Sequence, residues 1–239
     1  MRCIKWILLL GLLGGLYFGW NSSGGENPLP AYLEKAKAAI SFRAYVETKL
    51  NRKNFVPLPQ VPLSFQQALI AVEDNRFHQH GGIDLEAVSR AVLVNLQCGD
   101  LKEGGSTITQ PLVKNLFLSQ DRTWSRKALE IPLTLIMEWQ FTKSEILEMY
   151  VNTIYFGSGA YGIGEAAQTY FGKPTRDLTL AESSLIAGLP AAPSVYSPLV
   201  DLYMARQRQN IVLAAMVKHG YATRQQADEV RNTPLKFAK

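Results

Sequence analysis

Cysteine is almost missing from this chain, with only Cys3 and Cys98 among 239 residues. An apolar N-terminal run separates the two, so a disulfide between them would have to cross that run, and a disulfide framework is excluded. There is no Arg- or Lys-rich block, no zinc-finger spacing and no RNA-binding aromatic signature, which leaves no case for a nucleic-acid partner. Alternating apolar–polar stretches are scarce. The one extended segment, 54–63, is interrupted by Pro57, Pro59 and Pro62, so little is available to build a sheet. Neither an internal repeat nor a second compositional regime occurs.

What remains is a globular composition, 47% hydrophobic and 19% charged, in a chain long enough for a real core. The formal net charge of +5 suits an anionic partner such as a phosphate, a pyrophosphate or an acidic lipid surface. Arg2 and Lys5 precede an uncharged run, Trp6 to Trp20, rich in Leu and Gly. Positive residues ahead of such a run favour a cytoplasmic N-terminus and an exported remainder. With Ile4 included and Lys5 snorkelling, the run reaches membrane-spanning length. The expected organisation is an anchor at 1–20, a polar linker at 21–30 and one domain at 31–239. A cleaved signal peptide competes, although no Ala-x-Ala-like site follows Trp20, and a buried soluble helix is a third reading.

From Pro30 onward the pattern is helical, so the fold class is mainly α. Capping-box pairs stand at Ser64/Gln67, Thr142/Glu145, Thr179/Glu182 and Thr223/Gln226. Further helices are expected at 31–51, 84–97, 125–141, 164–171 and 201–219, with Gly99 and Gly220 at C-terminal caps.

Two stretches carry candidate chemistry. In the first, an apolar helical run ends in Glu73 and Asp74, with Phe77, His78, His80, Gly81 and Gly82 after them. A carboxylate at an apolar helix end is partly desolvated and suits a general base. The same residues also read as a helix capped by Gly81 with both acids solvated. In the second, Gly104 to Gln110 is a hydroxyl-rich turn leading into a helix with Lys114 and Asn115. Free N–H groups and a nearby lysine attract anions there, although a plain N-capped loop reads equally well. Arg122, Arg126, Lys127, Glu130 and Glu138 come next on an apolar helix, where a salt-bridged surface is the ordinary explanation.

These stretches together resemble the peptidoglycan glycosyltransferases, the family of class A penicillin-binding proteins and their single-domain relatives. Residues 73–81 (EDNRFHQHG) resemble the first family motif, 104–115 (GGSTITQPLVKN) the second, 126–130 (RKALE) the third and 143–152 (KSEILEMYVN) the fourth. Residues 162–167, 170–173 and 191–198 fit the part of the family's sequence C-terminal to that fourth motif. Each match is weak alone, and five in register are strong.

The resemblance implies a lysozyme-like helical domain against the outer face of a bacterial inner membrane. Its substrates would be lipid II and the growing lipid-linked glycan, and other cell-wall synthesis proteins are possible partners. The family's catalytic base corresponds to Glu73, which would deprotonate the acceptor's 4-hydroxyl in an inverting transfer. Its second carboxylate corresponds to Glu130, placed to orient Lys127 or a divalent Mg or Mn ion; no cofactor is required. Lys114, Arg122, Arg126 and Lys127 would neutralise the departing diphosphate. Ser106, Thr107 and Gln110 would bond sugar or phosphate oxygens. The motif positions Asp74, Phe77, His80, Gly81, Asn115 and Asn152 join the substrate-binding set.

Two departures stand out. Pro111 replaces a common Gln and is tolerable at the first helical position. Pro132 falls inside a helix two residues after Glu130, where it kinks the helix or is compensated. Since no Ser-x-x-Lys or Lys-Thr-Gly set occurs, a monofunctional enzyme without a transpeptidase half is expected.

Several signals point elsewhere. Gly157 to Gly162 matches Gly-x-Gly-x-x-Gly, but no parallel strands surround it. His78 and His80 lack partners at metal-ligand spacing and read as loop support. Tyr150, Tyr155, Phe156 and Tyr161 read as core or cleft wall. Leu116, Phe117, Leu118 and Trp124 read as a lipid-dipping edge or a core cluster. Lytic glycan cleavage and a non-catalytic scaffold of the wall-building complex are the competing functions. Retained carboxylates argue against the scaffold, and the extra cations argue against hydrolysis.

Overall fold

The helix Leu180–Gly188 (α8 in chain order) is buried from Ala181 to Gly188, on every side rather than along one stripe. Its small residues, Ala181, Ser183, Ser184, Ala187 and Gly188, let neighbouring helices close in on it, and it is the axis of the domain. A computed structural model describes residues 42–98, 104–118 and 124–238; for Cys98 and residues 124–128 it describes the backbone alone. The anchor at 1–20, the linker at 21–30, Gly99 and Arg122 lie outside the described residues, as does the first half of the helix expected at 31–51. Among the described residues no helix is long and apolar enough to cross a membrane.

In chain order the helices are α1 (Phe42–Lys49), α2 (Leu63–Glu73), α3 (Leu85–Cys98), α4 (Thr109–Phe117), α5 (Trp124–Gln140), α6 (Lys143–Thr153), α7 (Ile163–Phe171), α8, α9 (Pro193–Tyr196), α10 (Leu202–Lys218) and α11 (Arg224–Asn232). The described residues are thus mainly helical, and their only β pairing is the isolated bridge Tyr155–Tyr161. One layer is α2, α8 and α10, packed mutually; the other is α4, α5 and α6. Phe42 on α1 stacks on Phe117 at 4.8 Å, and Tyr45 stacks on the same ring at 5.4 Å. Leu116 therefore belongs to the core cluster, and Phe117, partly buried, packs against it. Tyr150 and Phe156 are buried, whereas Tyr161 is exposed beside Tyr155.

Local signals placed most helix ends. Thr142/Glu145, Thr179/Glu182 and Thr223/Gln226 form capping boxes with both halves in place. Asp84 accepts from the N–H groups of Glu86 and Ala87 and starts α3. Past α10, Gly220 takes φ +75°, and Tyr221 N–H reaches back to the Met216 carbonyl at 2.8 Å, the Schellman closure.

Two expectations are corrected, and Pro132 falls inside its helix as expected. Ser64 caps nothing: α2 begins at Leu63 behind Pro62, which puts Ser64 already inside the helix, and its hydroxyl meets Ser183 Oγ on α8 at 3.2 Å. Pro111 is the third residue of α4, not the first. No intrahelical bond is lost, because the first four N–H groups of a helix have no partner within it. Pro132 lies within an unbroken α5. The Thr134 hydroxyl donates to the Glu130 carbonyl at 2.7 Å, adding a side-chain bond next to the missing proline N–H.

Candidate active site

Glu73 is the last residue of α2, a helix that buries Phe65, Ala68, Leu69, Ile70 and Ala71. The packing that holds α2 against α8 and α10 draws its terminal carboxylate into a recess, where the side chain is 23% exposed. Arg208, from α10, reaches Glu73 Oε1 with Nη2 at 3.2 Å. Loss of water raises the Glu73 carboxyl above its usual range; Arg208 pulls it the other way, and the Asp74 charge adds to the rise. Among the described residues nothing hydrogen-bonds the second oxygen, Oε2. The buried Tyr150 phenol is pushed well above its ordinary value by burial and by the charges of Glu73 and Asp74, so it stays a neutral hydroxyl.

Asp74 faces inward. It is buried, and its carboxylate accepts from His80 Nε2 at 2.9 Å and from the Ile108 backbone N–H at 2.9 Å. Gly82 N–H donates to His80 Nδ1 at 3.1 Å, so Nδ1 is the acceptor nitrogen and Nε2–H is the donor to Asp74. The Thr107 hydroxyl donates to the Gly82 carbonyl at 2.7 Å, and Gln110 Oε1 accepts from Thr107 N–H at 3.0 Å. A clasp of buried polar groups thereby joins the first glycine turn to the second. The reading in which Gly81 caps the first helix is overturned, since α2 stops at Glu73 with Asp74 at its C-cap. The tight position is Gly82, at φ +92°, where a Cβ would stand 2.7 Å from Thr134 Cγ2. That contact brings the turn onto α5 one helical turn from Glu130, which is itself buried.

Two more of the expected substrate-binding residues, Phe77 and Asn152, have contacts within the fold. Phe77 is fully buried, with Lys143 Nζ 4.5 Å from its ring centroid. The buried Asn152 amide holds the extended segment at Val56, accepting from its N–H at 2.8 Å and donating to its carbonyl at 2.9 Å. The groups that face outward are Ser106, Gly81 and Asn115, which are exposed, and Lys114, which is partly so. Lys114, Asn115 and Asn152 line a groove of about 720 Å³ together with Lys49, Tyr161 and Glu165. Glu73 and Glu130 are not on its walls. Arg126 and Lys127 ride on α5, with side chains outside the described atoms.

Sequence reasoning missed Arg208, which lies inside the family match but C-terminal to the stretches read above, and 135 residues from the acid it holds. It also missed a strut in which Glu138 Oε1 accepts from Thr109 Oγ1 at 2.5 Å and from Lys143 Nζ at 2.8 Å, tying α4, α5 and α6. Glu138 and Lys143 sit at opposite ends of a short helix–helix turn, a spacing that carried the signal. The Gly-x-Gly-x-x-Gly match is a turn: Gly157, Ser158, Gly159 and Gly162 all have positive φ, and the turn packs on Pro193 and Asn152. Among the described residues no group of three or more His, Cys, Asp or Glu is placed to hold a metal, so no ligand set gathers around Glu130.

Comparison with known proteins agrees with the motif order. Penicillin-binding protein 1A of Escherichia coli K12 is 40% identical across 98% of this chain and 29% of its own length. Its namesakes in Aquifex aeolicus and Pseudomonas aeruginosa are each 44% identical, over 82% and 87% of this chain and 27% and 25% of theirs. The chain thus spans under a third of the length of these relatives. A solved structure of Penicillin-Binding Protein 1A from Haemophilus influenzae overlays 80% of this chain and 19% of its own at 25% identity and a TM-score of 0.45, too loose to argue from. A family model described as Transglycosylase matches residues 41–217, and the chain belongs to that transglycosylase family.

Proposed function

We propose that this domain polymerises lipid II into β-1,4-linked glycan at the outer face of the inner membrane, as a lysozyme-like peptidoglycan glycosyltransferase. The observation that supports this best is the Glu73 carboxylate, largely withdrawn from water, hydrogen-bonded through one oxygen and with no described partner at the other. In the proposed step the acceptor's 4-hydroxyl gives its proton to Glu73 Oε2. The hydroxyl oxygen forms the bond to the donor's anomeric carbon as the bond from that carbon to diphosphate oxygen breaks. The bonding pair departs with the diphosphate. A base with a raised pKa is matched to this task, because a strongly acidic carboxylate would be too weak a proton acceptor.

Lys114 and, from α5, Arg126 and Lys127 supply positive charge for the leaving group, with Arg122 ahead of them in the chain. Glu130 orients that cluster. Family membership and the clasp that carries the first motif onto the second, and both onto α5, support this division of labour. Labelled lipid II given to the wild type and to Glu73→Gln in detergent tests it. Polymer from the wild type alone is expected. Equal polymer from both removes Glu73 as the base, and degradation of sacculi without polymer moves the assignment to lytic cleavage.

A further inference from the structure

Arg208 lies C-terminal to the motif stretches read from the sequence, yet it is the only described residue that hydrogen-bonds the Glu73 carboxylate. Its path to the acid is built. The side-chain stem lies over Gly188, the last residue of α8, where an added Cβ would stand 2.9 Å from Arg208 Cγ and 3.2 Å from Val212 Cγ2. Any larger residue there would lift the arginine away. The Gly188 carbonyl then accepts from Arg208 Nε at 3.2 Å, and the guanidinium lies 5.8 Å from the Tyr196 ring centroid. With Nε tied to backbone, one terminal nitrogen is left aimed at the carboxylate. Arg208 is 15% exposed, so water screens the pair little.

The contact is single, at 3.2 Å, where an arginine commonly grips a carboxylate with two parallel bonds. A two-bond fork would occupy both oxygens and hold the carboxylate tightly in its charged form, leaving a poor base. A missing cation would leave a buried carboxylate free to turn and inclined to stay protonated. The one-sided grip avoids both: Oε1 is fixed, and Oε2 is left in a set direction.

We infer that Arg208 is a positioning residue for glycosyl transfer, fixing Glu73 by Oε1 so that Oε2 receives the acceptor proton, with Gly188 as the gap that admits it. The inference rests on Glu73 acting as the base. Once Oε2 takes the proton, the neutral acid loses most of its attraction to Arg208, which favours release of the proton to solvent for the next cycle.

The test is the pH profile of lipid II polymerisation for the wild type, Arg208→Met and Arg208→Lys, with thermal melting of each. Removing a cation this close to a carboxylate moves its titration upward by about one unit or more. Arg208→Met is therefore expected to shift the acid limb of kcat up by about 1 pH unit, so that its deficit against wild type is up to about tenfold deeper on the acid side of that limb than on the alkaline plateau. Arg208→Lys keeps the charge and should keep the limb near its wild-type position, with a lower plateau because the direction of Oε2 is less fixed. Gly188→Ala should reproduce part of the Arg208→Met profile. An Arg208→Met enzyme that loses activity equally at every pH, or that keeps the wild-type profile, overturns the inference. If Glu73→Gln still polymerises, the assignment of the base fails instead, so the two failures are told apart.

Discussion

The clasp around Asp74 and the groove around Lys114 are adjacent parts of the same motif set, and they behave oppositely. In the clasp, Asp74, His80, Thr107 and Gln110 turn their polar atoms on one another and on backbone. At the groove, Lys114 and Asn115 turn theirs outward. A resemblance assigns all of them to substrate, because a motif marks positions and not directions. Burial separates them: a side chain whose hydrogen-bonding capacity is consumed inside the fold shapes the site, and one that is open to water keeps polar atoms available to a ligand. Glu73 has a foot in each group, one oxygen engaged and one open.

That contrast can be broken most decisively at Asp74. Asp74→Ala leaves the His80 N–H and the Ile108 N–H without an acceptor in a buried place, and should cost about 2–6 kcal/mol in denaturant unfolding, about 1–3 kcal/mol for each donor. A loss under about 1 kcal/mol would put Asp74 with the outward-facing residues. Lys114→Ala is the opposite case. Its melting point should hold, with stability within about 0.5 kcal/mol of wild type. Polymer yield should fall on the order of a hundredfold, the usual size for removing one charge-stabilising group. If the variant unfolds early, the groove is part of the scaffold.

The smallest effect sharpens the position of Glu73. Its carboxyl titrates higher folded than unfolded, so the native state holds that proton more tightly. The stability it contributes is fully present below the ordinary carboxylate range and is lost as pH rises through the raised value. Glu73→Gln cannot lose it. Melting points of the two proteins should coincide in acid and separate above that range, the variant being the more stable. The reverse order in neutral buffer would mean that the pull of Arg208 exceeds the cost of burial.

Much of the fold was legible because its signals are short in range. A threonine and a glutamate three residues apart either close a capping box or do not, and Thr142 and Thr179 do, as Thr223 does with a glutamine. Ser64 shows the limit: the same spelling behind Pro62 sits one step inside the helix, and its hydroxyl turns to another helix. Pro111, expected to be tolerable at the first helical position, stands at the third and still costs α4 no hydrogen bond. The order of the motifs was legible as well, and the family match covers all of them.

Most helix ends were determined by the sequence itself, since each depends on residues within a few positions of one another, and composition and motif order are read along the chain without reference to the fold. Tertiary structure alone decided which motif residues serve the interior, and that Arg208 reaches Glu73 from 135 residues away. Such a pairing depends on how α2, α8 and α10 stack, down to a glycine whose missing side chain lets the arginine pass. No spacing rule spans that distance, because the energy that sets it comes from close packing of whole helices and not from neighbours along the chain.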